Sequence, residues 1–360
     1  MVFLSRFDGI ELPASADFHV HLRDESMMET VVPTIRAGGV NMVYVMPNLS
    51  PPLTSVSDVL SYKSRLEKED PKVQFLMTLY LHKEITPAVV KEAHARGIVG
   101  IKSYPAGVTT NSNSGVLSYE PFYPVFHAME ECGMVLNLHG ECPSDHTKDI
   151  TILNAESKFL PTLKLLHAKF PRLKIVLEHC TTKEAIEVVE ECGANVVGTI
   201  TIHHLFLTVD EWADDPICFC KPVAKWPSDR AALIKAAINS KGKFFLGSDS
   251  APHNITAKNG GKGKISAGVF TQPYVTQLYF TALERAVDLG VISEESIIPA
   301  VVKGFLGEYG RQFYQVQDVY SETIVLSKGN EKIQELLIGN NVKIVPFRHG
   351  LSTWSVTWKR

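Results

Sequence analysis

Side chains that can bind a metal ion stand at the ends of several short apolar segments of this sequence. His19 and His21 close the first segment, and because they are two residues apart they would point to the same side of a strand. His139, His179 and Asp249 stand at the ends of three later segments. Imidazole and carboxylate groups are common ligands of divalent transition metals. A single His-x-His pair is more often structural, but the four segment ends together predict a metal centre.

Lys102 stands near the end of a further apolar segment, residues 100–104. An ammonium group pointing inward among apolar neighbours would carry a large desolvation cost, so a nearby group must compensate it. A neutral amine here could be a Schiff-base nucleophile, a base or, after reaction with carbon dioxide, a carboxylate-like metal bridge. The residues alone leave these three alternatives open.

The other histidines carry less information. Six of them fall at helical or loop positions and are interpreted as core or surface residues: His82, His94, His127, His146, His167 and His349. His203 and His204 follow the seventh apolar segment and could line a pocket, although no other feature of the sequence supports that role.

The candidate ligands are spread over a chain in which strand-like segments mostly alternate with helical ones. The strand-like segments are residues 16–21, 42–46, 73–81, 99–104, 134–139, 174–179, 195–202 and 244–248. They are almost continuously apolar, as in a parallel sheet that helices cover on both faces. Eight strands close a barrel, so we predict an α/β fold of the (β/α)8 TIM-barrel type rather than a doubly wound sheet. Active sites of such barrels lie at the carboxyl ends of the strands, where these ligands would meet.

Helix signals support this alternation. Thr86 precedes Pro87 as a helix N-cap would, and Thr181 with Glu184 has the spacing of a capping box. No repeat or low-complexity linker divides the chain, so we predict one domain over residues 1–360, with the barrel at about 14–315. Helical stretches at 277–289 and 294–307 precede a short C-terminal extension, about 316–360, whose strand-like tail should pack outside the barrel.

Composition excludes several classes of protein. Hydrophobic residues make up 45% and charged residues 21% of the 360, close to globular averages. The net charge of −3 comes without a basic stripe, so we expect no nucleic-acid partner. No apolar run approaches the ~20 residues of a membrane span, and the first residues do not read as a signal peptide, so we expect no membrane association and a cytoplasmic location. The six cysteines form no Cys-x-x-Cys pair and are expected to be reduced.

Six sequence blocks carry a family resemblance. They are DFHVHLRD (17–24), YVMPNLSPP (44–52), GIKSYPAGVTTNS (100–112), LNLHGE (136–141), LEHCTT (177–182) and FLGSDSAPH (245–253). Together they resemble the compact, single-domain dihydroorotases of the metal-dependent amidohydrolase superfamily, in order along the chain from about residue 14 to 315. The match is specific because every ligand type that the family needs stands at the corresponding strand end.

The resemblance implies a binuclear zinc centre. Two Zn²⁺ ions would be bridged by a hydroxide and by Lys102 in its carboxylated form, N6-carboxylysine. His19, His21 and Asp249 would complete the first metal site, and His139 and His179 the second. Asp249 would also be the catalytic residue that moves the proton.

The resemblance also implies how a substrate is held. Arg23, Asn48 and His253 correspond to the family's substrate-carboxylate site, and a guanidinium suits that task because it can donate two parallel hydrogen bonds. Backbone groups near Ala267 and Lys221 correspond to contacts with the pyrimidine ring. Residues 107–115, polar and flanked by glycine, correspond to a lid with Thr109 and Thr110 at its tip. The family further suggests a homodimer.

The expected activity is the reversible closure of N-carbamoyl-L-aspartate to L-dihydroorotate, the third step of de novo pyrimidine biosynthesis. One alternative is another cyclic amidohydrolase of the dihydropyrimidinase, hydantoinase or allantoinase type, and another is a non-catalytic barrel scaffold. Arg23 and Asn48 argue against the first, because a carboxylate site serves no purpose for rings without that group. The complete ligand set argues against the second.

Overall fold

The computed structural model describes residues 3–260 and 265–359. Its strands are β1 (Glu11–Pro13), β2 (Ser15–Val20), β3 (Val40–Val45), β4 (Gln74–Tyr80), β5 (Gly100–Ser103), β6 (Val135–His139), β7 (Lys174–Glu178), β8 (Val196–Ile200), β9 (Phe244–Leu246), β10 (Thr323–Lys332), β11 (Leu337–Gly339), β12 (Val342–Ile344) and β13 (Ser352–Trp358). Its α-helices are α1 (Glu25–Val31), α2 (Val56–Glu69), α3 (Pro87–Ala95), α4 (Tyr123–Cys132), α5 (Ala155–Lys169), α6 (Lys183–Glu191), α7 (Val209–Asp214), α8 (Pro227–Asn239), α9 (Ile255–Lys258), α10 (Val275–Asp288), α11 (Pro299–Lys303) and α12 (Tyr309–Tyr314).

Strands β2 to β9 form one parallel sheet in sequential order, which confirms the predicted (β/α)8 barrel. The sheet closes where Val20 bridges Ser250 and where the Asp249 amide donates to the His19 carbonyl at 2.9 Å. Lys102 lies opposite Asn137 in the register of β5 and β6, and His139 lies opposite Glu178 in that of β6 and β7. This register brings the side chains of Lys102, Asn137 and Glu178, together with that of His19, to the same interior region of the barrel.

Local sequence accounts for how several crossover helices begin. Ser55 and Thr86 cap α2 and α3 through their side-chain oxygens, as the Thr86-Pro87 signal predicts. The prediction of a capping box at Thr181 and Glu184 is wrong by one residue. The N-cap of α6 is Thr182, whose side chain accepts from the Ala185 amide. The side chain of Glu156 draws Thr181 out of this role by accepting the Thr181 amide at 2.9 Å.

Helix α12 closes the amino-terminal end of the barrel. The Arg311 guanidinium donates to the Ala14 carbonyl, just before β2, at 2.9 Å. Inside the barrel, the Tyr314 ring stacks on Phe18 with centroids 5.1 Å apart, and Phe245 meets Phe18 edge-on at 5.3 Å. Aromatic side chains therefore fill the end of the barrel that lies opposite the candidate ligands.

The strands β10 and β13 near the C-terminus belong to a small sheet separate from the barrel sheet. Strand β10 pairs antiparallel with β13 on one side and with β1 on the other, so residues before the barrel join the same small sheet. Trp354 of β13 packs against Phe280 of α10 with ring centroids 5.6 Å apart. Among the described helices, none combines the length and the apolar character that crossing a membrane requires.

Candidate active site

The predicted metal ligands meet at the carboxyl-terminal end of the barrel. His19 and His21 come from the end of β2, and Asp249 from the turn after β9. The Oδ1 atom of Asp249 lies 3.3 Å from His19 Nε2 and 3.0 Å from His21 Nε2. These three buried side chains form a group with the composition of a metal site.

The second predicted pair lies beside this group. His139 ends β6 and His179 follows β7, and their ring centroids are 4.7 Å apart. The His179 ring is also 5.1 Å from that of His19, so the two sets of ligands adjoin. Burial lowers the pKa values of His139 and His179 and that of His21, the last to about 4, so these imidazoles are in the neutral form that ligates metals.

Neighbouring side chains fix the orientation of three ligand rings. The Nδ1 atom of His19 lies 2.8 Å from Glu178, and that of His21 lies 2.8 Å from the Asn48 amide oxygen. His139 is held from the other side, through Nε2, by Glu141 at 2.7 Å. A hydrogen bond donated by one nitrogen of each ring would leave the opposite nitrogen able to bind a metal.

Lys102 is completely buried, and its Nζ atom has no hydrogen-bond partner among the described residues. Burial lowers the pKa of its ammonium group to about 8, against the opposing influence of Glu178 and Asp249. The Nδ1 atom of the adjacent His179 is likewise buried and without a described partner. Two buried polar atoms without a described partner indicate a missing partner, and this donor set fits divalent metal ions together with a carboxylated lysine.

The predicted carboxylate site is partly assembled beside the ligands. Arg23 Nη2 lies 3.1 Å from His253 Nε2, and that same nitrogen lies 2.9 Å from the Ala267 carbonyl. One imidazole nitrogen cannot accept from Arg23 and donate to Ala267 at once, so a change of tautomer at His253 would release one of them. Burial lowers the pKa of His253 to about 2, which leaves Arg23 as the cationic member of this group.

All the other predicted substrate residues lie around the same cavity. Its described lining includes the candidate ligands His19, His21, His139, His179 and Asp249, together with Arg23, Asn48, Thr109, Thr110, Lys221 and Ala267. His253 stands just behind this lining, in contact with Arg23 and Ala267. Lys102 lies beneath it as a fully buried residue. The structure therefore brings every sequence-predicted site residue to one place.

The chain is similar over almost its whole length to proteins of known family. The chain is 49% identical over 353 residues to the probable dihydroorotase of Schizosaccharomyces pombe, a match that covers 98% of this chain and 100% of the relative. The chain belongs to the dihydroorotase family. No protein-family model matches the chain.

Solved structures agree with this membership. A crystal structure of dihydroorotase from Saccharomyces cerevisiae, in complex with 5-fluoroorotic acid, superposes with a TM-score of 0.91 at 44% identity and covers 98% of this chain and 99% of that one. Dihydroorotase from Campylobacter jejuni gives a TM-score of 0.84 at 32% identity, covering 100% and 99%. These matches confirm the predicted family and fold. They identify a cyclic amidohydrolase of the dihydroorotase type, and they do not support the hydantoinase-type and scaffold alternatives.

Three residues of this dihydroorotase-family site have left-handed backbone conformations. The φ angles are +60° at Arg23, +43° at His179 and +48° at Asp249. Such a conformation costs a residue other than glycine about 1–2 kcal/mol, and it persists where the surroundings impose it. Each of the three lies just beyond a barrel strand, where the chain turns and the candidate site is assembled.

A second group of metal-type side chains lies outside the cavity. His203, His204 and Cys220 are buried with their ligand atoms within 4.8 Å of one another. His204 already has a partner at each ring nitrogen, Thr201 at 2.8 Å and the Pro222 carbonyl at 3.1 Å, while both nitrogens of His203 lack a described partner. The Cys220 thiol, whose pKa burial raises to about 12, also donates to Pro222. A metal would have to displace these bonds, and the described cavity lining includes neither histidine.

Sequence reasoning missed Glu141 and Glu178, the carboxylates that hold His139 and His19. Both are 2% exposed or less. Each stands beside a ligand in the quoted blocks, in His139-Gly140-Glu141 and Glu178-His179. The available signal was a carboxylate ending an otherwise apolar strand, because such a group is buried only when it is paired.

Proposed function

We propose that this chain catalyses the reversible closure of N-carbamoyl-L-aspartate to L-dihydroorotate. The observation that carries the proposal is that Arg23 and Asn48, which we assign to the substrate carboxylate, line the same cavity as five of the six candidate metal ligands. A ring substrate that bears a carboxylate matches both halves of this cavity. The complex of the yeast relative with 5-fluoroorotic acid supports a site for rings of this kind.

Residues of the chain would hold two divalent cations, most simply zinc. His19, His21 and Asp249 would hold one and His139 with His179 the other, with Lys102 as N6-carboxylysine between them. The unpartnered Nζ of Lys102 and its lowered pKa support this, because carbon dioxide reacts with the neutral amine. When bound, such a pair of cations lowers the pKa of water and polarises the carbonyl under attack.

The side chains then orient the substrate and move the proton. Arg23 and Asn48 bind the substrate carboxylate and so place the ring against the ligands. Asp249 engages His19 and His21 through Oδ1, which leaves Oδ2 to carry a proton between the attacking water and the ring nitrogen. In the hydrolytic direction the ring C–N bond breaks as a C–O bond forms. Closure releases water and takes up one proton, so lower pH favours the ring.

Three parts of the proposal rest on the family resemblance. They are zinc as the metal, a homodimeric assembly and the carboxylated form of Lys102, whereas the cytoplasmic location is proposed from the sequence pattern. The substrate is a small molecule, and no nucleic-acid or membrane partner is proposed.

Assay of an Arg23→Met variant tests the function. We expect kcat/KM for dihydroorotate to fall, because a buried charge-assisted pair is lost. The fall should correspond to a loss of at least about 3 kcal/mol in transition-state stabilisation, and the metal content should be unchanged. Arg172→Met is the matched control, since this exposed arginine lies just before β7, at the opposite end of the barrel. Wild-type protein that hydrolyses hydantoin or dihydrouracil as well as dihydroorotate, or an Arg23→Met effect below tenfold, would contradict the proposal.

A further inference from the structure

Residues 107–115, which we call the lid, close the cavity from above. Thr109 and Thr110 of the lid line the cavity together with the candidate ligands. The cavity has a volume of about 20 Å³, enough for a water molecule but too small for a six-membered ring with a carboxylate. A substrate therefore enters only if part of this lining moves.

Hydrogen bonds within the lid tie its backbone together. Its amide at Gly107 donates to the Ser112 carbonyl at 2.9 Å, and the Ser112 hydroxyl donates to the Thr109 carbonyl at 2.7 Å. Gly107 has a φ of +72°, and no neighbouring atom lies within 4 Å of the position that a Cβ would occupy, so the backbone can turn there without a side chain to displace. The internal hydrogen bonds hold the loop together, whereas its position over the cavity depends on contacts with the barrel.

Hydrogen bonds from two rim residues fix that position. The Asn48 side chain donates to the Thr110 carbonyl at 3.0 Å, and its own carbonyl accepts from Asn111 at 2.9 Å. On the opposite side, Lys221 Nζ donates to the Val108 carbonyl at 2.7 Å. Asn48 belongs to the proposed carboxylate site, but the Lys221 side chain has no assigned task, since only the backbone near it corresponds to a family contact.

The Lys221 contact is the charged member of this set. A hydrogen bond from an ammonium group is shorter and stronger than one between neutral groups, although partial exposure of Lys221 weakens it. Lys221 lies between α7 and α8, whereas the lid follows β5, so the bond joins parts of the chain 113 residues apart. It therefore stabilises the closed position of the lid and not the lid's own fold.

We propose that Lys221 is a latch, a positioning residue whose ammonium group holds the lid closed through the Val108 carbonyl. The lid contact itself is independent of the reaction, but its consequence for turnover rests on the proposed function. Loss of the ammonium group raises the population of the open lid. A guanidinium at this position can still donate to a carbonyl, so Lys221→Arg retains the latch.

Hydrogen exchange of the metal-loaded, ligand-free protein tests the latch directly. In Lys221→Met the amides of residues 107–115 should exchange about tenfold faster, while Lys221→Arg stays within about threefold of wild type. Lys235→Met, at an exposed position of α8, is the matched control and should not change exchange in the lid. Metal content and thermal stability should be the same in all four proteins, and kcat/KM for dihydroorotate should fall about threefold to tenfold in Lys221→Met alone.

Two outcomes would overturn the proposal that Lys221 is a latch. One is unchanged lid exchange in Lys221→Met, including the case in which activity falls, because Lys221 would then contact substrate and not the lid. The other is equally fast exchange in Lys221→Met and Lys221→Arg, which would show that a donor at this position does not hold the lid. Because exchange is measured without substrate, a wild-type protein inactive on dihydroorotate would contradict the proposed function and leave this test intact.

Discussion

Three of the four candidate ligand rings, those of His19, His21 and His139, are held by a specific neighbour at the nitrogen that does not face the candidate metal site. Glu178 holds His19 and is itself bonded to Thr199 at 2.6 Å and Asn137 at 2.6 Å. Burial acts to raise the pKa of Glu178, but His19 and Lys102 outweigh it and lower the pKa below its usual value. An ionised carboxylate behind a ligand imidazole fixes the tautomer and makes the opposite nitrogen a better donor to a metal.

Glu178→Gln should weaken metal binding at the site of His19, His21 and Asp249 while preserving the shape of the side chain at position 178. The amide oxygen of a glutamine can still accept from His19 and Thr199, but its NH2 group cannot accept from Asn137 and the negative charge is lost, so zinc affinity should fall by about tenfold to a hundredfold. Chelator competition, followed by metal analysis, measures this effect. Glu141→Gln is the companion variant and should weaken the site of His139. Wild-type zinc affinity in both variants would show that the carboxylates only fill space.

Carboxylation of Lys102 is the second prediction at this scale. Protein prepared with ¹³C-labelled bicarbonate should show one carbamate carbon resonance by NMR, which disappears in Lys102→Ala along with at least one metal equivalent. The equally buried Lys225, whose Nζ is 2.6 Å from the Thr181 hydroxyl, has a partner and should stay unmodified. A Lys102→Ala protein with both metals and full activity would contradict the assignment.

At the scale of elements, helix α12 supports the site from the far end of the barrel. Asn137 donates to Glu178 and, at 2.6 Å, to the Tyr314 hydroxyl, so hydrogen bonds run from His19 to the last residue of this helix. Gly310 lies against the Phe18 ring, and a Cβ atom there would overlap that ring. The close approach of α12 to β2 therefore requires glycine.

Gly310→Ala should destabilise the protein although it favours helix formation. Helix propensity alone predicts a gain of about 1 kcal/mol, whereas overpacking against a ring confined by Tyr314 and Phe245 costs about 1–3 kcal/mol. Chemical denaturation should show a net loss. Gln312→Ala, at an exposed position of the same helix, is the control and should leave the free energy of unfolding nearly unchanged. A gain in stability at Gly310 would mean that α12 moves freely to accommodate a methyl group.

At the scale of the whole molecule, the candidate metal ligands connect distant parts of the chain. The six side chains come from β2, β5, β6, β7 and the turn after β9, and the contact of His21 with Asp249 spans 228 residues. Metal ions bound there would stabilise the closed barrel, because the unfolded chain cannot present these ligands together.

Metal removal should therefore lower the thermal stability of the whole barrel. The purified protein should contain about two zinc ions per chain, and free zinc at a hundredfold excess over Kd should contribute about 2.7 kcal/mol. Calorimetry before and after treatment with a chelator measures the decrease in Tm, and readdition of zinc should reverse it. A fully active preparation with one metal or none would exclude the binuclear centre.

The sequence by itself determined the barrel and the candidate ligands. The eight apolar segments predict β2 to β9 to within a few residues, because burial on both faces leaves a continuous apolar pattern in each strand. His19, His21, Lys102, His139 and His179 could be found because each is a polar exception at the end of such a segment. The family resemblance added Arg23, Asn48 and His253, whose separate sequence contexts look like ordinary turns.

Only the tertiary structure decided which groups pair. Glu178 meets His19 across 159 residues, and Lys221 meets the lid across 113. The N-cap of α6 moved to Thr182 because Glu156, from α5, takes the Thr181 amide. His204 and Cys220 both bond to the Pro222 carbonyl and lie beside His203, in a buried cluster that no spacing indicates. Periodicity reports the face on which a side chain lies, but the partner of a buried polar group depends on which distant atoms the closed barrel brings within bonding distance.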